Sequence, residues 1–170
     1  MTRQRAAKNP LDLHERALRL LAVRPRSRRE LQLRLRRAGF EPDQVEDELI
    51  RLEAVGLVDD EAFARELAQH HVASRRSGRR AVVGALAAKG VSREVIEEVV
   101  AGLGGEEDER ALELARERAS RLAGLPRDKA FGRLSSVLMR RGYEPQTARE
   151  AARRALRFLE DGENARSEGM

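Results

Sequence analysis

Thirteen basic side chains recur in three stretches of this 170-residue chain. They are Arg28, Arg29, Arg34, Arg36 and Arg37, then Arg75, Arg76, Arg79, Arg80 and Lys89, then Arg133, Arg140 and Arg141. A guanidinium presents a planar fork of donors that matches phosphate and carboxylate oxygens, and an ammonium adds a point charge. The chemistry on offer is recognition of an anionic partner, and the thirteen are read as one contact stripe toward DNA and acidic protein surface.

Residues for other chemistry are scarce. There is no cysteine, which excludes disulfides, thiol catalysis and cysteine zinc sites. No GxxxxGK[ST], GxGxxG or GxSxG motif is present. Of the three histidines, His70 and His71 diverge by about 100° on a helix. Glu66 and His70 lie four apart but supply two ligands where a metal site needs three or four. Carboxylates crowd into Asp43–Glu48 and Glu106–Glu109, where the pattern reads as solvent-exposed and gives no reason for a raised pKa. The expectation is a protein with no catalytic residue, no metal and no cofactor.

The elements that must carry the stripe are helices. Hydrophobic residues are 41% of the chain, charged residues 37% and aromatics 3%, so burial must come from aliphatic stripes. Helical spacing marks Leu13, Ala17, Leu20 and Leu21; Leu31, Leu35 and Ala38; and Val45, Leu49 and Leu52. Phe63, Leu67 and His71 or Val72 follow, then Val82, Leu86 and Ala87, then Val95, Ile96, Val99, Val100 and Leu103. The last set is Ala111, Leu114, Ala115 and Leu122; Phe131, Leu134, Val137 and Leu138; and Ala148, Ala152, Ala155, Leu156 and Leu159. Phe40, Phe63, Phe131, Tyr143 and Phe158 fall on these stripes or directly after a turn and are read as core, which argues against single-strand binding by base stacking.

The pattern is periodic. Gly39, Gly90 and Gly142 each end a middle segment, 51 and 52 residues apart, and suit left-handed positions after a helix. Pro42 and Pro145 suit first helical turns, Ser27-Arg-Arg-Glu30 suits a capping box, and Asp59 or Asp60 and Ser92 suit N-caps. Charge follows the same period: residues 1–37 are net +9, 38–69 net −8, 70–93 net +6, 94–110 net −6 and 111–143 net +5. The expected architecture is an all-α, elongated array, right- or left-handed, of three tandem three-helix repeats at 11–57, 58–104 and 105–160. A disordered basic tail is expected at 1–10 and another disordered tail at 161–170, with a hinge at Gly102–Gly105.

Together these residues resemble the RecX family of recombination regulators. The resemblance rests on Pro25-Arg-Ser-Arg-Arg-Glu-Leu31, Arg36-Arg-Ala-Gly39-Phe40, Gly56-Leu-Val-Asp-Asp-Glu-Ala-Phe63-Ala64-Arg65, Lys89-Gly90-Val91, Ile96, Arg140-Arg-Gly142-Tyr143 and the three-helix period. It covers about His14 to Leu159. It implies a non-enzymatic protein that binds the groove of the RecA recombinase filament on DNA. Such a protein restrains ATP hydrolysis, strand exchange and coprotease activity, and so tempers the SOS response in DNA repair. Two departures stand out: Leu57 replaces an aromatic found in many relatives, and the final helix is Ala-rich rather than acidic. The basic middle segments read independently as a free-standing helix-turn-helix-like DNA-binding protein. Apolar runs are too short for a membrane span and the start lacks a secretory pattern, so a cytoplasmic monomer is expected.

Overall fold

Most residues of the apolar stripes lie on the buried faces of helices, although Ala87 is exposed and Leu103 falls after a helix end. The computed structural model of the protein describes residues 10–122 and 124–168. The first three helices are α1 (Pro10–Val23), α2 (Arg28–Arg37) and α3 (Pro42–Ala54). Next come α4 (Asp60–Ala73), α5 (Arg79–Ala88) and α6 (Arg93–Ala101). The last three are α7 (Glu107–Ala119), α8 (Arg127–Arg140) and α9 (Pro145–Glu168), with a 3-10 turn at Ser120–Leu122 before α8. Among the described residues there are nine α-helices and no strand. The fold is all-α, built on a three-helix repeat.

Local chemistry sets most boundaries. Pro42 and Pro145 open α3 and α9, where the missing amide costs no hydrogen bond. Asp59 Oδ1 accepts from Ala62 N at 2.8 Å, and Ser92 Oγ from Val95 N at 3.3 Å. Gly39, Gly90 and Gly142 have φ of +89°, +73° and +87°, the left-handed region in which a Cβ is strained. The Ser27 capping box is only half formed. Ser27 Oγ accepts from Glu30 N at 3.1 Å, but the Glu30 carboxylate turns to cations instead of the cap amide.

Both expected tails touch the limits of the described residues. Residues 1–9 lie outside them, and with them nearly all of the basic tail. Within the tail expected at 161–170, α9 continues as helix over 161–168. Ala, Glu and Arg have high helical propensity, and no proline follows Pro145 to stop the helix. Residues 169–170 lie outside the described residues.

The chain forms two compact units, Met1–Leu67 with Leu86–Val99, and Ala68–Ala85 with Val100–Met170. The division passes through α4, α5 and α6. In the first unit, Leu13, Ala17, Leu31, Leu35, Phe40, Val45, Leu49, Leu52 and Val58 make one apolar cluster. Each large aliphatic there contributes roughly 1.5–3 kcal/mol when fully buried. Glu48, read from sequence as exposed, is only 4% accessible within this unit. It lies on the stripe of Val45, Leu49 and Leu52, and its charge is met by His14 Nδ1 at 2.6 Å and Arg51 at 3.5 Å.

The second unit is packed differently. Ala111, Ala115 and Ala119 of α7 are buried with Ala148, Ala151, Ala152 and Ala155 of α9. Small residues let the two helices approach closely, so contact between backbones replaces bulk. This is what the Ala-rich final helix does. Phe158, read as core, is corrected: it is 61% exposed in the middle of α9, with the Arg116 guanidinium 4.8 Å from its ring centre. Tyr143 is fully buried; burial pushes its phenol pKa up, and its hydroxyl donates to Arg76 O at 3.1 Å.

Consecutive repeats are joined by one recurring device. In the first unit, Ser27 Oγ donates to Lys89 O at 2.5 Å, and the Arg29 side chain lies where a Cβ on Gly90 would be. In the second, Gly78 N donates to Arg141 O at 2.9 Å and Arg80 N to Gly142 O at 3.1 Å. A Cβ on Gly142 would overlap Ala81, and one on Gly78 would overlap Gly142 and Tyr143 backbone. A carboxylate from the following repeat completes each junction. Asp60 Oδ1 accepts from Arg28 N at 2.7 Å, and Glu107 Oε1 from Arg79 N at 2.8 Å.

Glu30 reinforces the first junction. It bonds Arg24, Arg26 at 2.6 Å, Arg34 at 3.1 Å and Lys89 at 3.4 Å. Burial alone would raise its pKa, but the bonds from Arg24, Arg26 and Arg34 and the charge of Lys89 outweigh that and hold it at about 2.

Two outcomes follow for stability. Gly142→Ala should lower it by about 2–3 kcal/mol in urea unfolding, from left-handed strain plus overlap with Ala81. Gly56→Ala, at φ +73° with nothing within 4 Å, should lose only about 1 kcal/mol. Equal losses would refute the close approach. Glu30→Gln should cost on the order of 2 kcal/mol at neutral pH, allowing for solvent screening of a partly open site. A depressed pKa means that this stabilisation is complete above about 4.5 and disappears as pH falls toward about 2. Unfolding measured across that window should show the wild-type advantage shrinking, and a constant difference would contradict it.

Candidate partner-binding surface

The thirteen basic residues divide by what their side chains already hold. Six carry carboxylates. Arg28 bridges Glu46 at 2.5 Å and Glu53 at 2.7 Å, which holds its pKa up. Arg34 and Lys89 meet on Glu30. Arg76 pairs with Glu117, Arg79 with Glu107 at 3.6 Å, and Arg80 with Glu144 at 3.8 Å.

These pairs account for part of the alternating charge. Acid gathered after one glycine neutralises base gathered before it, across helices instead of along them. Arg76 has a further structural role: its φ of +48° is strained, and the bonds to Glu117 and from Tyr143 hold it there. Arg141 donates to Arg75 O at 2.5 Å, tying the α8–α9 turn to the start of the α4–α5 connection.

Among the described residues, Arg29, Arg36, Arg37, Arg75, Arg133 and Arg140 have no carboxylate partner. All six are exposed. Arg36 and Arg37 end α2, where a cation also complements the helix dipole. Arg75 lies in the α4–α5 connection. Burial, and then the charge of Arg75, lower the pKa of the buried His71.

Arg133 and Arg140 are brought together in a cleft of about 740 Å³ between the end of α7, the 3-10 turn and α8. Sequence reasoning missed its other cations, Arg118, Arg121 and Lys129. The signal was present, because Lys129, Arg133 and Arg140 recur at four and seven residues, one face of a helix. Asp128 is the one carboxylate in the lining, and Leu122, Leu134 and Val137 supply apolar surface. The arrangement sets five cations, Arg118, Arg121, Lys129, Arg133 and Arg140, around one opening. No helix among the described residues is long and apolar enough to cross a membrane.

Comparison with known proteins places this geometry. Residues 14–52 match a family model described as RecX, first three-helix domain, and residues 59–100 match RecX, second three-helix domain. The chain is 38% identical over 148 residues to the regulatory protein RecX of Streptomyces coelicolor, covering 86% of this chain and 78% of that one. It is 40% identical over 152 residues to that of Mycolicibacterium smegmatis, with the same coverage. The identity to that of Mycobacterium ulcerans is 43% over 136 residues, covering 78% of each. The fold is shared with the crystal structure of RecX from Lactobacillus salivarius. That match has a TM-score of 0.79 at 17% identity, over 86% of this chain and 96% of that one. A second RecX crystal structure matches with a TM-score of 0.73 over 81% of this chain. The chain therefore belongs to the RecX family of non-enzymatic regulatory proteins.

Proposed function

We propose that this protein acts in the cytoplasm by binding the groove of the RecA recombinase filament on DNA. There it restrains ATP hydrolysis, and with it strand exchange and coprotease activity. Membership of the RecX family supports this reading. The observation that carries it is the set of exposed arginines that have no carboxylate partner among the described residues after the repeat junctions have taken theirs. Such residues bind phosphate or acidic protein without first breaking an internal pair.

The mechanism is differential binding. A protein that contacts several filament subunits favours the arrangement it fits and opposes the rearrangements that accompany hydrolysis. Restraint of turnover then needs no chemistry of its own. During titration of preassembled filament, ATP turnover should fall at less than one molecule per recombinase subunit, while the protein alone hydrolyses none. Unchanged turnover with binding proven would rule out the inhibitory reading. Tight binding to a defined site on bare DNA would favour a free-standing DNA-binding protein instead.

Charge reversal tests the surface. Arg36→Glu, Arg37→Glu and Arg75→Glu combined should leave helical circular dichroism unchanged, because none of the three has a carboxylate partner among the described residues. Filament binding should weaken at least about tenfold, and more steeply as salt rises in the wild type than in the variant. Arg79 and Arg80 are poor choices for this test, since their reversal would also disturb Glu107 and Glu144 at a repeat junction. Normal binding by the triple variant would make these arginines a solvated face.

A further inference from the structure

Several helices of this protein set an acid one turn from an exposed arginine: Glu15 with Arg19, Glu61 with Arg65 and Glu97 with Arg93. α8 does not. Its single acid is Asp128, while Lys129 and Arg133 stand four residues apart and Arg140 follows seven further on, all on one face. Like charges at that spacing repel. Arg118 and Arg121 join them from the end of α7 and the 3-10 turn, and all five line the cleft of about 740 Å³. None of the five is in an ion pair among the described residues. Arg118 is half-buried, and its Nε is buried without an acceptor. Asp128 is the one carboxylate in the lining, so four charges are left uncompensated there.

α8 is also small where it lines the cleft, through Gly132 and Ser136, four residues apart. Glycine in a helix interior is costly relative to alanine. No close packing calls for it here, because a Cβ on Gly132 would meet nothing within 4 Å. The missing side chain leaves the space over α8 open. Partly exposed Leu122 and Val137 add an apolar wall. No side chain caps the start of α8, and the positive end of its dipole adds to the field around Lys129.

Size and charge select the occupant. A volume of about 740 Å³ is that of a small-molecule pocket, roughly 300–1,000 Å³, and does not admit a duplex. A single phosphate carries a charge of about −1.5 to −2, too little for four uncompensated cations, so joined phosphoryl groups are required. We propose that the cleft binds a free oligophosphate, either the tail of a nucleoside polyphosphate or an inorganic chain. The forked donors of Arg121 and Arg133 and the ammonium of Lys129 hold its oxygens. The inference stands apart from filament inhibition, and its failure would leave that reading to its own assay.

The test is calorimetric titration of the full chain at fixed salt without magnesium. The probes are ATP, inorganic tripolyphosphate, AMP and oligothymidine. Arg121→Glu with Lys129→Glu reverses charge in the cleft, and Arg154→Glu with Arg157→Glu changes net charge equally at exposed sites on α9. Gly132→Leu fills the cleft while keeping all five cations, and leucine favours the helix. ATP and tripolyphosphate should bind wild type and the α9 control alike, and AMP at least about tenfold more weakly. Both should weaken about tenfold in the cleft charge variant and in Gly132→Leu, with oligothymidine unchanged in Gly132→Leu. ATP binding tighter than tripolyphosphate would identify a nucleotide resting on Leu122 and Val137, and the reverse order an inorganic chain. Failure of both to bind wild type would overturn the proposal, as would equal weakening by the two charge variants or normal binding by Gly132→Leu. Loss of oligothymidine in step with ATP in Gly132→Leu would overturn it too, and assign the cleft to a nucleic-acid strand.

Discussion

The first amides of α2 and α5 have no carbonyl four residues back to which they can donate, a deficit that every helix start carries. Here the partners come from the repeat that follows in sequence. Asp60 and Glu107 accept from Arg28 N and Arg79 N, and the carbonyls of Arg141 and Gly142 accept from Gly78 N and Arg80 N. These bonds require the incoming turn to come within van der Waals distance of the helix start, and that requires a residue without a Cβ. Gly78 and Gly142 meet the condition from both sides of one junction. Repeat order, turn conformation and the burial of Tyr143 beside the junction all depend on this approach.

The same junctions decide which charges remain for a partner. Glu30, Glu46, Glu53, Glu107, Glu117 and Glu144 are each committed to a basic side chain. An arginine so held is costly to redirect, because a new partner must replace a bond already made. Arg36, Arg37, Arg75, Arg133 and Arg140 carry no such bond among the described residues. Among the described residues, the cations free of internal pairs are therefore not the net charge as a whole but the fraction left after assembly of the repeats.

Helices of ten to fourteen residues are individually marginal in water, and packing against neighbours holds them. The Ala-lined contact of α7 with α9 and the Leu-rich cluster of α1–α3 are two solutions to that problem, one by close approach and one by bulk. Both leave the opposite helix faces in water, where exposed cations and apolar residues are available to a partner.

Helical period made the nine helices legible, since a 3.6-residue stripe has one way to bury its face. Gly39, Gly90 and Gly142 were legible as left-handed turns because the strain of a Cβ there is a property of the residue itself. The motifs around these glycines likewise carried the family. Pairing was not legible. The sequence gives Arg79 and Arg36 the same charge on similar helices, and only the positions of Glu107 and its neighbours in space distinguish a committed side chain from an uncommitted one. Glu48 looked exposed among other acids, yet it sits on the inward stripe with His14 across from it. Phe158 looked buried, yet α9 leaves it exposed, with the Arg116 guanidinium over its ring. Backbone conformation is set within a few residues, so the sequence by itself determined the helices, their turns and the repeat. Ion pairing and exposure are set by residues up to 64 positions apart, so only the tertiary structure decided which charges are paired within the protein and which are left exposed.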